Sequence, residues 1–138
     1  MIVFMYAIMK KISAYLRGQS YEAEVDDEDF EFLSQYKWTA KISSRTVYAQ
    51  TNVESPRGFV NVHMHRMVIG DAADAIEEES IPYEEVPLSN GKTVFIVSRG
   101  YERFRKKTVD HIDGNGLNNC RTNLRHLTCR EQANNRRF

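Results

Sequence analysis

Apolar and polar positions alternate with a period of two over several short stretches of the chain, which is the pattern of half-buried β-strands. The alternation is clearest at residues 20–25 and returns at 38–42, 46–53 and 59–63. Serine, proline and glycine separate the later stretches, and these residues favour turns. The pattern therefore predicts a small antiparallel sheet in the first half of the chain.

Two short helices are predicted beside this sheet. An acidic run at residues 26–29 opens the first helix, because an aspartate can cap it and acidic side chains suit the first turn of a helix. Phe30 and Leu33 follow at helical spacing and should face a core. Residues 64–69 form the second helix, which a glycine ends.

Residues 71–92 differ in composition from their neighbours, with a run of acidic side chains, two prolines and a Ser-Asn-Gly turn signal. The β-rich stretch 92–98 then predicts a strand. We interpret 71–107 as an acidic insertion and basic linker that separates a first segment, 9–70, from a C-terminal module, 108–138.

The C-terminal module predicts a strand–strand–helix unit. Strand character at its start gives way to turn residues, and the Asn-Gly pair at 115–116 favours a tight reversal. A second short strand is predicted at 122–127. Thr128 and Glu131 then have capping-box spacing, which opens a helix that runs to Arg137. The predicted fold class is α+β, a small antiparallel sheet with short helices followed by this module.

The zero net charge of the 138-residue chain conceals an uneven distribution. Residues 1–70 contain eight basic and eight acidic side chains, 71–87 contain seven acidic and no basic ones, and 99–138 contain ten basic and four acidic ones. A basic C-terminal third favours contact with phosphates.

Asp110 and His111 are adjacent, so on a strand their side chains point to opposite sides. Phosphodiester hydrolysis needs a base that takes a proton from water and a positive charge that stabilises the departing 3′ oxygen. One imidazole and one divalent metal meet both needs. In a strand–strand–helix unit, Asp110 and an amide of Gln132, Asn134 or Asn135 would form a metal site of hard oxygen ligands.

These residues carry a family resemblance. By type and spacing the C-terminal module resembles the HNH endonucleases of phages and mobile introns, whose ββα-metal fold it would share, over about a fifth of the chain. The resemblance implies that His111 is the general base and that Asp110 binds the metal. It also implies that Asn123 holds the loop and orients the His111 ring. The matching residues are Asp110, His111, Asn118, Asn119, Asn123, Leu124, Arg125, Thr128, Glu131, Gln132 and Asn135.

Gln132 departs from the family pattern, which usually has asparagine or histidine at this position. Its carbonyl oxygen is one methylene further from the backbone, so Gln132 itself and the substitutes Asn135 and Asn134 all stay open as the second ligand. The implied cofactor is one Mg²⁺ or Mn²⁺ ion. The remaining asparagines of the loop, Asn118 and Asn119 included, are interpreted as loop builders.

Residues 9–70 resemble the AP2-like DNA-binding segments that are often fused to phage HNH nucleases. The resemblance rests on the acidic stretch after Val25, on Tyr36-Lys-Trp38 and on Val62-His-Met-His-Arg66. It implies a three-stranded sheet that lies in the major groove of double-stranded DNA. The predicted DNA-binding residues of the whole chain are Lys41, Arg45, Arg66, Lys106, Lys107, Arg125, Arg130, Arg136 and Arg137.

The leading hypothesis is a metal-dependent DNA endonuclease that nicks as a monomer, with a homodimer left open as a route to double-strand breaks. The alternative, suggested by Gln132, is a DNA-binding protein whose HNH site is degenerate and inactive. An RNA-directed or toxin-like nuclease is a third hypothesis.

Several histidines and cysteines have a second interpretation. His63 and His65 form a His-x-His pair that could bind metal, although the favoured interpretation is that one packs near the sheet and the other faces solvent or phosphate. Cys120, Cys129 and His126 could hold a structural zinc, but a fourth good ligand is missing and free thiols are the preferred interpretation. His126 is otherwise assigned to packing or to phosphate contact.

No stretch approaches the roughly 20 apolar residues that a membrane span requires. Residues 1–8 are apolar but lack the length and the basic start of a signal peptide, and Met9 followed by two lysines also resembles a natural start. The sequence therefore predicts a cytoplasmic protein with no membrane partner, in a bacterial host cell if a phage encodes it.

Overall fold

The alternating stretches form a five-stranded sheet. The computed structural model describes residues 8–76 and 81–135. The five strands are β1 (Met9–Leu16), β2 (Gln19–Asp26), β3 (Thr39–Ile42), β4 (Val47–Ser55) and β5 (Gly58–His63), in the spatial order β2-β1-β3-β4-β5. Neighbouring strands are antiparallel except β1 and β3, which form one parallel pairing at Tyr15 and Thr39. The four predicted strands are confirmed as β2 to β5, and β1, which was not predicted, enlarges the sheet by pairing with β2.

Both predicted helices are present, as α1 (Asp27–Leu33) and α2 (Met64–Ile69). Leu33 is fully buried, so the predicted apolar face of α1 does reach the core. The predicted cap is wrong: Asp26 precedes the helix, but its side chain makes no capping hydrogen bond. Its carboxylate instead accepts a hydrogen bond from the backbone N–H of Arg121, 2.8 Å away. This contact ties the C-terminal module to the sheet.

The acidic insertion contains a second small sheet. Strands β6 (Tyr83–Pro87) and β7 (Thr93–Val97) pair in an antiparallel hairpin, of which the sequence predicted only the second strand. Val86 and Val94 are buried in the main core, so the hairpin packs against the rest of the chain. Asn90, in the turn, donates a hydrogen bond to the backbone carbonyl of Met67 in α2.

The C-terminal segment forms β8 (Lys107–His111), β9 (Leu124–Thr128) and α3 (Cys129–Asn135). The two strands are antiparallel and place Asp110 opposite Arg125. The capping box is confirmed, since Thr128 Oγ1 accepts from the backbone N–H of Glu131 and the Glu131 carboxylate accepts from that of Thr128. At this level the α+β prediction is confirmed. The identity of the segment as a metal-binding HNH module stays a prediction.

The loop between β8 and β9 is tied to the five-stranded sheet at two places. At β2, Glu24 donates through its backbone N–H to the Leu117 carbonyl and accepts from the backbone N–H of Asn119. Before β4, Thr46 Oγ1 accepts from the backbone N–H of Gly116. Arg121, just beyond the loop, forms a bidentate ion pair with a buried carboxylate of α1, that of Asp29.

We predict that Gly116→Ala destabilises the fold and loosens this loop. A Cβ at this position would lie 2.4 Å from the Val47 carbonyl oxygen and 2.6 Å from the Tyr48 ring, and a backbone oxygen cannot swing aside. Overpacking of this kind costs about 1–3 kcal/mol, so the urea midpoint should fall. An unchanged midpoint would mean that the loop does not approach β4 as closely as described.

The hydrophobic core joins the three predicted segments. One cluster contains Val25 and Val62 from the first sheet, Val94 from the insertion, and Val109 and Leu124 from the C-terminal module. The boundaries at 71 and 108 remain predictions, but side chains pack across both of them. None of the helices in the described residues is long and apolar enough to cross a membrane. Residues 1–7 and 136–138, with the predictions made for them, lie outside the described residues.

Candidate functional site

A cleft of about 290 Å³ lies where β8 ends and the loop begins. It brings together three of the predicted catalytic and metal-binding residues, Asp110, His111 and Gln132. It also contains two of the predicted DNA-binding arginines, Arg45 from the β3–β4 turn and Arg125 from β9. The full lining is Arg45, Thr46, Tyr48, Asp110, His111, Ile112, Asp113, Gly114, Arg125 and Gln132.

His111 is buried, and one hydrogen bond fixes its ring: Nε2 lies 2.7 Å from Oδ1 of Asn119. The prediction that Asn123 orients this ring is therefore wrong. Asn119 does so instead, because its backbone is held at β2 and its side chain is wholly buried beside the ring. From the sequence, Asn119 was interpreted only as a loop builder, since nothing local distinguishes it from Asn118.

Asn123 does hold the loop. Its side-chain oxygen accepts from the backbone N–H of Asp113, 3.0 Å away, and its Nδ2 donates to the Asp113 carboxylate and to the backbone carbonyl of Asn118, both at 2.9 Å. Asn123 does not line the cleft. It is therefore described as a structural residue of the loop, and the catalytic role predicted for it has no contact that supports it.

Burial lowers the pKa of His111 below the usual value of 6.5, against the opposing effects of the Asn119 hydrogen bond and of the carboxylates of Asp110 and Asp113. The ring is consequently neutral at neutral pH. A neutral imidazole keeps one lone pair that can accept a proton, as a general base must.

Two further rings pack against that of His111, and a third packs on these two. The His65 ring meets it edge-on at a centroid distance of 4.4 Å, and Tyr48 lies 5.8 Å away. His63 stacks on His65 at 5.3 Å. Burial lowers the pKa of His63 to about 4 and that of His65 well below 6.5, so these rings are neutral packing partners. Within residues 8–76 and 81–135, no cluster of three or more His, Cys, Asp or Glu side chains could hold a metal.

Asp110 pairs with its cross-strand neighbour Arg125. The guanidinium approaches through Nε and Nη2, each 3.2 Å from the same carboxylate oxygen, Oδ2. The second oxygen, Oδ1, makes no hydrogen bond to a described residue. One carboxylate oxygen and the Gln132 amide in the same cleft are hard ligands of the kind that Mg²⁺ and Mn²⁺ prefer. Both ligand types suit one such ion, and Arg45 and Arg125 add positive charge to the cleft.

The other predicted DNA-binding residues are either exposed, paired with a carboxylate, or outside the described residues. Lys41, Lys106 and Arg130 are exposed. Arg66 is not available: its guanidinium is held by the buried Asp71 carboxylate at 2.6 Å and by the Phe95 carbonyl, so the prediction of a DNA contact is wrong. Lys107 pairs with Asp74. The side chains of Asn134 and Asn135, and all of Arg136 and Arg137, lie outside the described part of the structure.

The zinc interpretation finds no support among the described residues. The His126 ring hydrogen-bonds to the Gly70 carbonyl at 2.8 Å, which favours its predicted packing role. Cys120 is buried with its sulfur 3.4 Å from that of Met9, and burial raises the pKa of its thiol to about 11. A thiol in that state is a poor metal ligand, since zinc binds the thiolate. The side chain of Cys129 is not among those described.

Comparison with known proteins gives no match to a protein-family model, to a curated protein or to a solved structure. The cleft and its side chains are therefore the basis for proposing a function.

Proposed function

We propose that the chain is a metal-dependent DNA endonuclease that hydrolyses phosphodiester bonds in double-stranded DNA. The observation that carries the proposal is the cleft itself, in which a buried neutral histidine, a carboxylate, an amide and two arginines converge. A base, hard metal ligands and phosphate-binding cations are what this reaction requires. The resemblance of the C-terminal module to HNH endonucleases supports the same activity.

The chemistry assigned to each side chain follows from its position. Arg45 and Arg125 bind the scissile phosphate and orient it. His111 accepts a proton from water, the water oxygen forms a bond to phosphorus, and the bond from phosphorus to the 3′ oxygen breaks. The departing 3′ oxygen takes a proton from solvent water, and the products are a 5′-phosphate and a 3′-hydroxyl. Asp110 and Gln132 would hold one Mg²⁺ or Mn²⁺ ion, which when bound supplies stabilisation of the charge on the departing oxygen.

One such site cuts one strand, so a monomer nicks and a homodimer or two successive events would be needed for a double-strand break. The exposed Lys41 on β3 and the two arginines of the cleft would contact the DNA backbone, which makes binding sensitive to salt.

The test is to incubate supercoiled plasmid with the full chain in Mg²⁺, in Mn²⁺ and with EDTA. We expect conversion to the nicked circle with either metal and none with EDTA. Salt-sensitive DNA binding without cleavage in any divalent metal would instead establish the alternative, a DNA-binding protein with an inactive site. Cleavage of RNA but not of DNA would establish an RNA-directed nuclease and exclude the proposal.

A separate prediction concerns Gln132. Gln132→Ala should weaken Mn²⁺ binding by about tenfold or more, because it removes one of two proposed oxygen ligands. Gln132→Asn, with the shorter side chain usual in the resembled family, should restore binding and raise the nicking rate. Calorimetric titration with Mn²⁺ measures the affinity, and the exposed Gln35→Ala, which lies outside the cleft, is the matched control. Equal affinities of the two alanine variants would exclude Gln132 as a ligand.

A further inference from the structure

The hydrogen bond at His111 Nε2 determines which ring nitrogen can act as a base. A neutral imidazole has one protonated and one unprotonated nitrogen. The atom that faces Nε2, at 2.7 Å, is Oδ1 of Asn119, and a carbonyl oxygen only accepts hydrogen bonds. Nε2 therefore carries the proton, and the lone pair is on Nδ1.

We propose that Asn119 is a positioning residue that fixes the Nε2–H tautomer of His111 and so makes Nδ1 the nitrogen that accepts the proton from water. The inference rests on the proposed endonuclease function for the catalytic role of Nδ1. The tautomer itself is a property of the folded chain and can be measured without any cleavage.

Asn119 is held in a way that suits this role. Its backbone N–H donates to the Glu24 carbonyl in β2, and the Glu24 N–H donates to Leu117, two residues before Asn119. The amide is thus anchored on a strand of the main sheet, separate from β8, the strand that carries His111. Because the anchor is rigid and the side chain is wholly buried, the amide oxygen cannot swing away from the ring.

The nitrogen of the Asn119 amide also indicates that the asparagine is there for the His111 ring. Nδ2 of Asn119 is buried and has no hydrogen-bond partner among the described residues. A buried N–H without a partner is unfavourable, and an apolar side chain of similar size would avoid the penalty. Packing alone therefore does not explain an asparagine here, whereas the bond from its oxygen to Nε2 does. The edge-on His65 ring supports His111 from a second side.

The experiment is an NMR measurement of imidazole nitrogen shifts in full-length, metal-free protein labelled with ¹⁵N-histidine. The spectrum contains four histidines, and His111→Gln identifies the signals of interest. At about pH 8, where imidazoles are neutral, we expect a single Nε2–H tautomer for His111. Asn119→Leu, of similar size but without an acceptor, should give a mixture of tautomers, and Asn119→Asp should return the Nε2–H form.

Asn118→Leu is the matched control. Asn118 is the adjacent asparagine of the same loop, but its side chain donates to the Asp113 carboxylate and not to the ring. A loop that is merely loosened would affect both leucine variants. We therefore expect Asn118→Leu to leave the His111 tautomer unchanged.

Cleavage supplies the second measurement. With Mn²⁺, Asn119→Leu should lower kcat about 10- to 100-fold, the usual effect of losing a residue that orients a functional histidine. KM should stay within about twofold, since the asparagine touches no substrate. Asn119→Asp should recover most of the rate.

A wild-type His111 protonated on Nδ1 overturns the proposal, as does an unchanged tautomer in Asn119→Leu. The wild-type spectrum and Asn119→Asp decide the question if Asn119→Leu does not fold. An altered tautomer with an unchanged kcat overturns the catalytic half. If the tautomer follows Asn119 but the wild type cuts no DNA in any metal, the positioning role stands and the endonuclease function is rejected.

Discussion

His111→Ala should reduce plasmid nicking by about a hundred- to ten-thousand-fold, the range that a general base contributes. His111 is the only imidazole in the described lining of the cleft, whose carboxylates are engaged by Arg125 and by loop asparagines and whose arginines stay protonated. DNA affinity should change little, since the ring is buried and the proposed phosphate contacts are made by the arginines. Plasmid nicking and gel-shift measurements on the same preparation separate the two effects.

The matched control is His126→Ala, which removes a histidine of β9 that lies outside the cleft and bonds to the Gly70 carbonyl. Its nicking rate should equal that of the wild type. The pH profile gives an independent check: a base works only when unprotonated, and burial lowers the pKa of His111 below 6.5. The rate should therefore rise with pH to a plateau, and the midpoint of that rise should lie below pH 6.5. Equal rates for His111→Ala and His126→Ala would exclude the mechanism.

Local pattern was sufficient for most elements of the fold. Period-two alternation identified β4 and β5, and the Thr128–Glu131 spacing identified the start of α3, because the forces that form these features act within a few residues. Strand β6 was not predicted, because Glu84 and Glu85 resemble part of a solvated acidic run. In the structure Val86, next to them, is buried in the core, and it is the one buried side chain of this strand.

The sequence predicted only those residues of the site that are close together along the chain. Asp110 and His111 were identified as a pair, and the structure places both in the cleft. Their partners come from distant positions: Arg45 approaches from the other sheet, and Asn119 takes its position from a strand nearly a hundred residues earlier. A single sequence has no signal for such contacts, because they depend on how the loop meets β2 and β4.

Arg66 is a second case in which a tertiary contact had no signal in the sequence. The sequence predicted Arg66 to be a DNA-binding residue and placed Asp71 at the start of an acidic insertion. Burial brings the two together. The Asp71 side chain is 1% exposed, and its oxygens accept from Arg66 at 3.1 and 2.6 Å, from the Phe95 backbone N–H at 2.8 Å and from Arg105 at 3.4 Å.

The second large effect follows from this pair. Asp71→Ala should destabilise the chain by about 3–5 kcal/mol, because it leaves the Arg66 guanidinium largely buried without its carboxylate and removes the acceptor of the Phe95 N–H. The free energy of unfolding from urea titration measures the loss. Asp74→Ala is the control: its carboxylate also pairs with a cation, Lys107, but is exposed to solvent. That variant should lose far less stability, because water screens an exposed pair.

The same carboxylate sets a pH dependence with a defined sign. Burial alone would raise the pKa of Asp71, but the hydrogen bond and charge of Arg66, the charge of Arg105 and the Phe95 N–H together hold it below the usual 3.8. A pKa that is lower in the folded chain than in the unfolded chain stabilises the fold above the unfolded value, and that stabilisation is lost as the pH falls through the folded value. The gap in stability between the wild type and Asp71→Ala should thus be constant near neutral pH and shrink below about pH 4. A gap that persists undiminished into strong acid would show that Asp71 does not act through its charge.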